Sequence, residues 1–271
     1  MTGSPDIAAV GVLVREVAGQ VHVPLFGLAV EQEEKSPGEL VSRVDREAEL
    51  LLVDGLRALA PSIPVIGEEA AFSDPLLLGL LRTSEAVWLV DPLDGTAQFL
   101  AGSPDHAIMI ALVVRGRTVA AVVHQPQHDR IYVAELGAGT WRDGVRVQRA
   151  PALNGDLGSL RGAVLRRYLD DHARAAVDTN AWRFRDLTPH STCAGVEYPR
   201  LLEGEADFLL FWRTLPWDHA PGALLLSEAG GAALRPDRSD YQPDDDAYGL
   251  LAAADRLTAT AALAGLGLSR D

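Results

Sequence analysis

Two carboxylates lie three residues apart in the run DPLDGT, residues 91–96, which directly follows the apolar segment AVWLV, residues 86–90. A short apolar run of this kind is typical of a buried strand, so Asp91 and Asp94 are expected at its end. Two buried like charges this close together need a cation or must share a proton. The alternative is an ordinary polar turn, because Pro and Asp-Gly are also common turn residues. The run therefore predicts either a metal site or a plain turn.

Further acidic residues follow or open other apolar elements, namely Asp45, the pair Glu68-Glu69, and Asp218 after Trp217. Hard divalent cations such as Mg²⁺ prefer oxygen ligands, and two such ions about 3.5–4 Å apart can clamp the attacking and leaving oxygens of a phosphoryl group. That chemistry needs carboxylates that converge from separate segments. Each group alone has a simpler interpretation, because Asp45 and Asp218 could be helix N-caps and the glutamates a solvated loop. Together, the four groups favour one common metal site.

The backbone of the same run can also contribute to a site. Residues 91–94 offer two carboxylates and the carbonyl oxygen of Leu93 from one tight loop. Gly95 and Thr96 then present N–H groups at the start of a predicted short helix, residues 96–100, and a helix N-terminus is a natural seat for a phosphate. The run thus predicts a metal site and a phosphate seat side by side.

The composition limits the class of protein. The chain has 271 residues, 48% hydrophobic residues and a formal net charge of -14. This predicts a folded protein with a real core, and the negative charge argues against nucleic-acid polymers and anionic membranes as partners. Cys193 is the single cysteine, which excludes an intrachain disulfide and favours a reducing, cytoplasmic location. No basic N-terminal segment and no apolar run of about 18 residues is found, so neither a signal peptide nor a membrane span is predicted.

The N-terminal part, residues 1–150, is predicted to be an α+β subdomain that carries most of the metal ligands. Its expected helices, from apolar periodicity and breakers, are residues 5–34 with a bend at Pro24, 45–60 with Asp45 as N-cap, 74–84 and 96–100. Its expected strands are 39–44, 64–69 and 86–90, followed by an antiparallel meander of 107–114, 118–124, 130–135 and 140–147. The Asp-Gly at 143–144 is a hairpin signal.

A softer segment, residues 151–160, is the predicted boundary to a C-terminal α/β subdomain, residues 151–271, that supplies Asp218 and the substrate pocket. Strands are expected at 162–165, 182–187, 206–212, 232–234 and 248–253, and helices at 169–180, 192–203, 218–229 and 254–266. Strands that alternate with helices indicate a layered architecture. The fold class predicted for the whole chain is α+β, with a mixed, largely antiparallel N-terminal sheet and a smaller α/β half.

The acidic motifs in their order along the chain resemble the inositol monophosphatase family, the lithium-sensitive, magnesium-dependent phosphatases that also include fructose bisphosphatases and bisphosphate nucleotidases. The resemblance covers the chain from about Lys35 to Gly231, and KSPGELVSRVD matches the family's Asp-Leu-Val-Thr…Asp segment with Glu39 where Asp is usual. The motifs that carry it are Asp45, GEE at 67–69, DPLDGT at 91–96, WD at 217–218 and EAGG at 228–231. The resemblance implies the layered αβαβα sugar-phosphatase fold and a homodimer.

The resemblance also implies a ligand set for two or three Mg²⁺ ions. One ion would be held by Glu68, Asp91 and the Leu93 carbonyl, and a second by Asp91, Asp94 and Asp218, with Asp91 shared. Asp94 and Asp218 would in addition face the substrate.

Roles in the reaction are implied in the same way. Glu68 and Thr96 would orient the attacking water, together with the charge of Asp91. The amides of Gly95 and Thr96 would bind the phosphate. Asp45 and Glu69 would be supporting groups or ligands of a third ion.

The segment before Asp218 departs from the family pattern. Inositol phosphatases similar to this chain usually have a glutamate about seven residues before that aspartate, and Phe211 stands there instead. Arg213 could bind an anionic part of the substrate through its planar fork or be an ordinary surface residue. Cys193 and Ala194 match the family's small-residue turn beside the leaving group.

The function predicted from the sequence is a Mg²⁺-dependent phosphomonoesterase that acts on inositol 1-phosphate or a similar polyol or sugar phosphate. The alternatives are a histidinol-phosphate phosphatase, a 3′(2′),5′-bisphosphate nucleotidase with the same metal site, or a non-catalytic metal- or ligand-binding relative. The large rate enhancement that phosphomonoester hydrolysis requires is consistent with a metal-assisted mechanism.

Overall fold

Two β-sheets alternate with layers of helices in the computed structural model, which describes residues 5–36, 39–152, 156–189 and 193–269. The order of the layers is αβαβα, so the fold class predicted from the sequence is confirmed. The fold brings the C-terminal end of one strand of the larger sheet against helices that lie between the two sheets. The functional site forms at that place.

The N-terminal helical run is shorter than predicted. Helix α1, Ile7–Val17, continues through a π-helical turn, Ala18–His22, into one turn of helix α2, Val23–Leu25. The prediction of helix to residue 34 is wrong, because Gln32–Ser36 forms strand β1, which pairs antiparallel with β2, Glu39–Ser42. Pro24 lies just after the π-helical turn, inside this continuous helical run.

Helix α3 spans Arg43–Leu59 and begins at Ser42, not at Asp45 as predicted. The Ser42 hydroxyl accepts a hydrogen bond from the N–H of Val44 at 3.1 Å, and the Asp45 carboxylate reaches back to the N–H of Ser42 at 2.7 Å. The two residues therefore form a capping box, in which each side chain satisfies a backbone donor at the helix start. Asp45 is the third residue of the helix in this arrangement.

The larger sheet has seven strands in chain order, β3 to β9. Strands β3 and β4 are parallel and the other neighbours antiparallel, which confirms the predicted meander. The strands are β3 Val65–Gly67, β4 Ala86–Asp94, β5 Ala107–Val114, β6 Arg117–Gln125, β7 Arg130–Glu135, β8 Gly139–Arg142 and β9 Val145–Val147.

Short helices connect the first strands of this sheet. Glu68 and Glu69 begin helix α4, Glu68–Ser73, so the predicted strand over 64–69 ends earlier, at Gly67. The predicted helix over 74–84 is a 3₁₀ turn, Pro75–Gly79, followed by α5, Leu80–Thr83, and α6, Thr96–Leu100, follows β4 as predicted.

The smaller sheet has five strands in the order β11-β10-β12-β14-β13. Strand β10 is parallel to β11 and β12, and β14 is antiparallel to β12 and β13. The strands are β10 Arg161–Val164, β11 Asp186–Pro189, β12 Phe208–Phe211, β13 Ala232–Leu234 and β14 Leu250–Ala253. The predicted strand at 182–187 is wrong at its start, because Ala181–Arg183 is a 3₁₀ turn.

The remaining helices are α7 Asp171–Asn180, α8 Ala194–Leu202, α9 Pro216–Glu228 and α10 Arg256–Leu266. Helices α8 and α9 lie between the sheets, where Tyr198 and Leu225 share a buried cluster with Met109 of the larger sheet and Leu209 of the smaller one. Because this central core joins both sheets, the division after residue 150 stays a prediction, and residues 153–155 of the predicted boundary lie outside the described residues.

The outer helix layers cover the other face of each sheet. Helices α1 and α3 bury Val14 and Leu52 against Trp88 of β4, and α7 and α10 form a similar cluster with β12. Within the described residues, Ile7–Leu25 is long and apolar enough to count as a candidate membrane span. Its apolar face is packed in the core of the larger sheet, as in a core helix of a globular domain.

Candidate active site

The DPLDGT run closes strand β4 with an irregular turn. The pairing of β4 with β5 shifts register between Asp91 and Asp94, so one extra residue is accommodated there as in a β-bulge. The N–H of Leu93 donates a hydrogen bond to Asp91 Oδ1 at 3.0 Å. Gly95 follows with a φ of 93° as the residue that starts α6. This turn directs both carboxylates toward the same cavity.

Four carboxylates from three separate segments line one cavity of about 350 Å³: Glu68, Asp91, Asp94 and Asp218. Asp218 reaches it from the first turn of α9, whose N-cap is Leu215, so the interpretation of Asp218 as a possible N-cap is wrong. The carboxylates that the sequence suggested as one site are thus neighbours in the fold. The other predicted residues that line the cavity are Leu93, Gly95, Thr96, Cys193, Ala194 and Arg213.

Asp45 supports the cavity from behind instead of lining it. It is buried, and its Oδ1 accepts a hydrogen bond from Thr96 Oγ1 at 2.7 Å while its Oδ2 is held by Ser42. Asp45 therefore connects the start of α3 with the start of α6. The supporting role that the resemblance implies for Asp45 stays a prediction.

Lys35 is a member of the site that the sequence interpretation missed. Its Nζ lies 2.6 Å from Glu68 Oε1 and 2.6 Å from Glu69 Oε1, and its side chain is only 8% exposed. Lys35 belongs to β1, and the prediction of a helix to residue 34 gave no reason to bring it to the glutamates. Burial would lower the pKa of Lys35, but the attraction of Glu68 and the hydrogen bonds to both glutamates raise it, so the ammonium keeps its charge.

Glu49 was also missed. Its carboxylate accepts hydrogen bonds from the N–H groups of Glu69 at 2.8 Å and Ala70 at 3.0 Å, so it caps the first turn of α4. The signal that could have found it is a charged residue on the apolar face of an amphipathic helix, one turn after Asp45. Glu49 holds the backbone of the segment that carries Glu68.

The carboxylates of the cavity destabilise each other's charged forms. Burial, with Glu68 and Asp94 as the nearest like charges, raises the pKa of Asp91 well above its usual range, and burial and Asp94 do the same to Asp218. Burial raises the pKa of Asp94 to about 6, although the N–H of Gly195 donates to it. Glu69 lines a separate, neighbouring pocket, and its pKa rises to about 7 from burial and the charge of Glu68. A bound cation would remove this penalty.

The oxygen atoms that line the cavity are suitable ligands for Mg²⁺, but in the part of the chain that the structure describes they are not arranged as a closed metal site. Carboxylate and carbonyl oxygens are the ligands that this ion prefers, and burial beside like charges raises the pKa values of Asp91 and Asp218. Among the described residues, however, no three acidic, histidine or cysteine side chains stand as a closed metal site. Lys35 is the cation that contacts Glu68 in this structure.

The wall opposite the carboxylates is aromatic and cationic. Phe211 is stacked on Tyr198, with ring centroids 5.4 Å apart, and contacts the His219 ring edge-on at 4.6 Å. Arg213 lines the cavity with Tyr168, and its guanidinium lies 4.1 Å from the centre of the Tyr168 ring. His219 belongs to this aromatic group.

Cys193 packs under the turn of the DPLDGT run. Its thiol donates to the carbonyl of Asp94 at 3.4 Å, and the N–H of Gly195 donates to Asp94 Oδ2 at 2.5 Å. Burial and the charge of Asp94 raise the pKa of the thiol well above its usual range, so Cys193 is not activated as a nucleophile. The start of α8 therefore positions Asp94 and its neighbours instead of taking part in covalent chemistry.

Comparison with known proteins identifies the family. A model described as "Inositol monophosphatase family" matches residues 5–266. The chain belongs to this family. The resemblance suggested by the acidic motifs is thereby confirmed, and the family shows the protein to be a phosphatase, a phosphoric monoester hydrolase.

Individual members of the inositol monophosphatase family agree with this assignment. Inositol monophosphatase 2 of Solanum lycopersicum is 32% identical over 246 residues, which is 87% of this chain and 89% of the relative. The fructose-1,6-bisphosphatase/inositol-1-monophosphatase of Thermotoga maritima is 30% identical over 206 residues, 74% of each chain. A solved inositol monophosphatase structure from Thermotoga maritima superposes with a TM-score of 0.79 at 25% identity and covers 96% of each chain.

Proposed function

We propose that the protein hydrolyses a small phosphomonoester with the help of two or three Mg²⁺ ions that the acidic cavity holds. The observation that carries the proposal is the convergence of Glu68, Asp91, Asp94 and Asp218 beside the start of α6 in one cavity. The same cavity is lined by Gly95 and by the hydroxyl-bearing Thr96, so ligands for a cation and donors for a phosphate stand side by side.

Glu68, Asp91 and the Leu93 carbonyl would hold one ion, and Asp91, Asp94 and Asp218 would hold a second. Such ions, when bound, supply Lewis-acid polarisation of the phosphoryl oxygens and lower the pKa of water. Glu69 and Asp45 are the proposed supporting groups, and Glu69 is the candidate for a third ion because it lies beside Glu68 on α4.

Thr96 has a defined task in this proposal. Its hydroxyl hydrogen is engaged by Asp45 Oδ1 at 2.7 Å or by the Leu93 carbonyl at 3.2 Å, so the oxygen offers its lone pairs to the cavity. A water that donates one hydrogen to Thr96 and another to Glu68 would be oriented for attack on phosphorus. The first N–H groups of α6 then bind the phosphate oxygens.

The substrate class is a phosphate ester of a small polyol or sugar. The names of the relatives from Solanum lycopersicum and Thermotoga maritima support this class. Phe211 favours a second candidate, histidinol phosphate or a 3′(2′),5′-bisphosphate nucleotide, because an aromatic ring replaces the carboxylate that would accept hydrogen bonds from polyol hydroxyls. We also propose that the protein is cytoplasmic and forms a homodimer, and light scattering of the purified protein would test the homodimer.

The proposal is tested by phosphate release from inositol 1-phosphate, fructose 1,6-bisphosphate, histidinol phosphate and adenosine 3′,5′-bisphosphate, with Mg²⁺ and with EDTA. We expect release from at least one substrate with Mg²⁺, loss of that release in EDTA, and inhibition by millimolar lithium. Release that is the same in EDTA would contradict the metal assignment. No release from any substrate would contradict the function.

A further inference from the structure

Three side chains at the mouth of the cavity form a group that we call the clasp: Glu39, Tyr168 and Arg213. Arg213 Nη1 donates a hydrogen bond to Glu39 Oε1, and Tyr168 Oη donates to the same oxygen at 3.3 Å. The Arg213 guanidinium lies 4.1 Å from the centre of the Tyr168 ring. Glu39 comes from β2, and the other two residues come from the smaller-sheet side of the cavity, so the clasp joins the two walls.

The clasp lines the cavity that would receive the alcohol part of a substrate. All three residues line the same cavity as Asp94 and Asp218. A phosphate ester seated at Gly95 and Thr96 would extend its alcohol part into the cavity that Arg213 also lines.

The surroundings of Arg213 do not suit a neutral polyol. Phe211, Leu165 and Leu215 line the cavity beside it, and none of them accepts a hydrogen bond from a hydroxyl through its side chain. Glu39 is the acidic side chain of this wall, and Arg213 already engages it. The positive groups that this wall offers a substrate are the guanidinium of Arg213 and that of Arg167, which also lines the cavity and lies 5.1 Å from the centre of the Tyr168 ring. Guanidinium donors match carboxylate and phosphate oxygens.

We propose that Arg213 binds a second anionic group, a carboxylate or a phosphate, on the alcohol part of the substrate, and that Glu39 occupies Arg213 until that group arrives. This inference rests on the proposed phosphatase function and narrows its substrate class. In the free protein, Glu39 imitates the substrate's second charge. Substrate binding exchanges one anionic partner of Arg213 for another.

The structure provides for both halves of this exchange. Ser36 Oγ donates to Glu39 Oε2 at 2.8 Å. Glu39 therefore keeps hydrogen bonds from Ser36 and Tyr168 when Arg213 leaves it, so its carboxylate stays hydrogen-bonded. The Tyr168 ring keeps its cation–π contact with the guanidinium and so holds the guanidinium in the cavity wall. The side chains of Arg213 and Glu39 are 32% and 18% exposed, and both line the cavity, so the pair can be reached from the space that a substrate would enter.

The test compares two matched pairs of substrates with Mg²⁺. Glycerol 1-phosphate and 3-phosphoglycerate differ by a carboxylate, and fructose 6-phosphate and fructose 1,6-bisphosphate differ by a phosphate. The quantity measured in each pair is the anion preference, which is kcat/KM of the more anionic substrate divided by kcat/KM of the other. The pair that shows the larger preference identifies whether Arg213 takes a carboxylate or a phosphate.

We expect an anion preference above one in at least one pair. Arg213→Gln should lower it by about 10- to 100-fold, the usual weight of a hydrogen bond to a charged group, and Arg213→Lys should recover part of it. Glu39→Gln should raise the anion preference, because the carboxylate that competes with the substrate for Arg213 is removed. Arg166→Gln is the matched control, because Arg166 pairs with Asp178 outside the cavity.

Three results would overturn the inference. Equal losses of kcat/KM on both members of each pair in Arg213→Gln would mean that the clasp only holds β2 to the smaller-sheet side. A preference of one or below in the wild type, or a fall of the preference in Glu39→Gln, would remove the anionic substrate class. If all four esters are turned over and the anion preference is the same in Arg213→Gln as in the wild type, this inference fails and the proposed function stands. If neither these esters nor p-nitrophenyl phosphate is turned over, the proposed function fails as well.

Discussion

Lys35 Nζ and Glu68 Oε1 are 2.6 Å apart at the floor of the acidic cavity. The same ammonium contacts Glu69 at 2.6 Å, so one buried cation serves two carboxylates on the first turn of α4. A helix start tolerates this negative charge, but the raised pKa of Glu69 shows that burial and Glu68 still work against it. Lys35 therefore neutralises part of the negative charge for which we propose Mg²⁺ as the partner.

The first prediction concerns this competition. Lys35→Gln should lower the melting temperature of the metal-free protein, because loss of one partner of a largely buried pair leaves its carboxylates unpaired, at a cost of about 1–3 kcal/mol. The rise in melting temperature on addition of Mg²⁺ should be larger in Lys35→Gln than in the wild type. Scanning calorimetry with and without Mg²⁺ measures both quantities. Lys35→Arg keeps the charge and serves as control, and an equal Mg²⁺ effect in all three proteins would refute the competition.

The second prediction separates catalysis from stability at Asp91. Asp91→Asn should reduce Mg²⁺-dependent phosphate release by about a thousand-fold or more, because the charge stabilisation that a bound ion supplies is worth several kcal/mol. The metal-free variant should melt at a higher temperature than the wild type, because Asp91 is buried beside Glu68 and Asp94 and its pKa is raised for that reason. Asp54→Asn, at an exposed position of α3, should change neither quantity. Full activity of Asp91→Asn would exclude Asp91 as the shared ligand.

Much of the site could be predicted from the sequence because its chemistry is local. The run from Asp91 to Thr96 carries ligands, turn residues and helix start within six consecutive positions, so spacing alone groups them. Lys35 and Glu49 could not be predicted this way. Lys35 reaches Glu68 only because β1 pairs with β2, and Glu49 reaches the N–H of Glu69 only because α3 packs on α4.

The errors in the helix starts have a related cause. Asp45 and Asp218 each stand near the beginning of a helix, and aspartate is favoured both as N-cap and within the first turn. The Ser42-x-x-Asp45 spacing is the signal that would have corrected the first case. In α9 no side chain caps the start, and Pro216 sets the first turn instead.

The third prediction is a pH dependence of stability that originates at His22. This residue ends the π-helical turn, lies fully buried, and its Nε2 is 2.9 Å from the carbonyl of Pro92 in the DPLDGT run. Burial and the neighbouring His106 lower the pKa of His22 to about 3. Below pH 6.5, His22 therefore binds a proton in the unfolded chain but not in the folded protein. The free energy of unfolding falls as pH falls from 6.5 toward 3, and His22 does not change it above pH 6.5.

At pH 5 this difference amounts to about 2 kcal/mol for His22. His22→Phe should therefore show a smaller loss of unfolding free energy between pH 7.5 and pH 5 than the wild type, by about that amount. Urea unfolding at the two pH values measures the loss. The same substitution at the exposed His172 should leave it unchanged, and a wild-type-like loss in His22→Phe would show that His22 titrates normally in the fold.

The fourth prediction concerns the conformation of Gly95, which has a φ of 93°. A Cβ at this position would lie 2.9 Å from Cys193 Sγ and 3.2 Å from the carbonyl of Asp105. Gly95→Ala should therefore cost stability twice, through left-handed backbone strain of about 1–2 kcal/mol and through crowding against Cys193. Gly144, with a φ of 78° and nothing within 4 Å of its added Cβ, is the matched control that carries the strain alone.

Urea unfolding should give a larger loss of stability for Gly95→Ala than for Gly144→Ala, and the excess measures the crowding. Cys193→Ala combined with Gly95→Ala should recover part of that excess, because the Sγ contact disappears while the Asp105 contact remains. Mg²⁺-dependent phosphate release should fall in Gly95→Ala and stay normal in Gly144→Ala, because displacement of residues 94–96 moves Asp94 and Thr96 together. Equal stability losses in the two glycine variants would show that Cys193 moves away from the added Cβ at no measurable cost. In that case the close packing under the DPLDGT run would not hold its carboxylates in place.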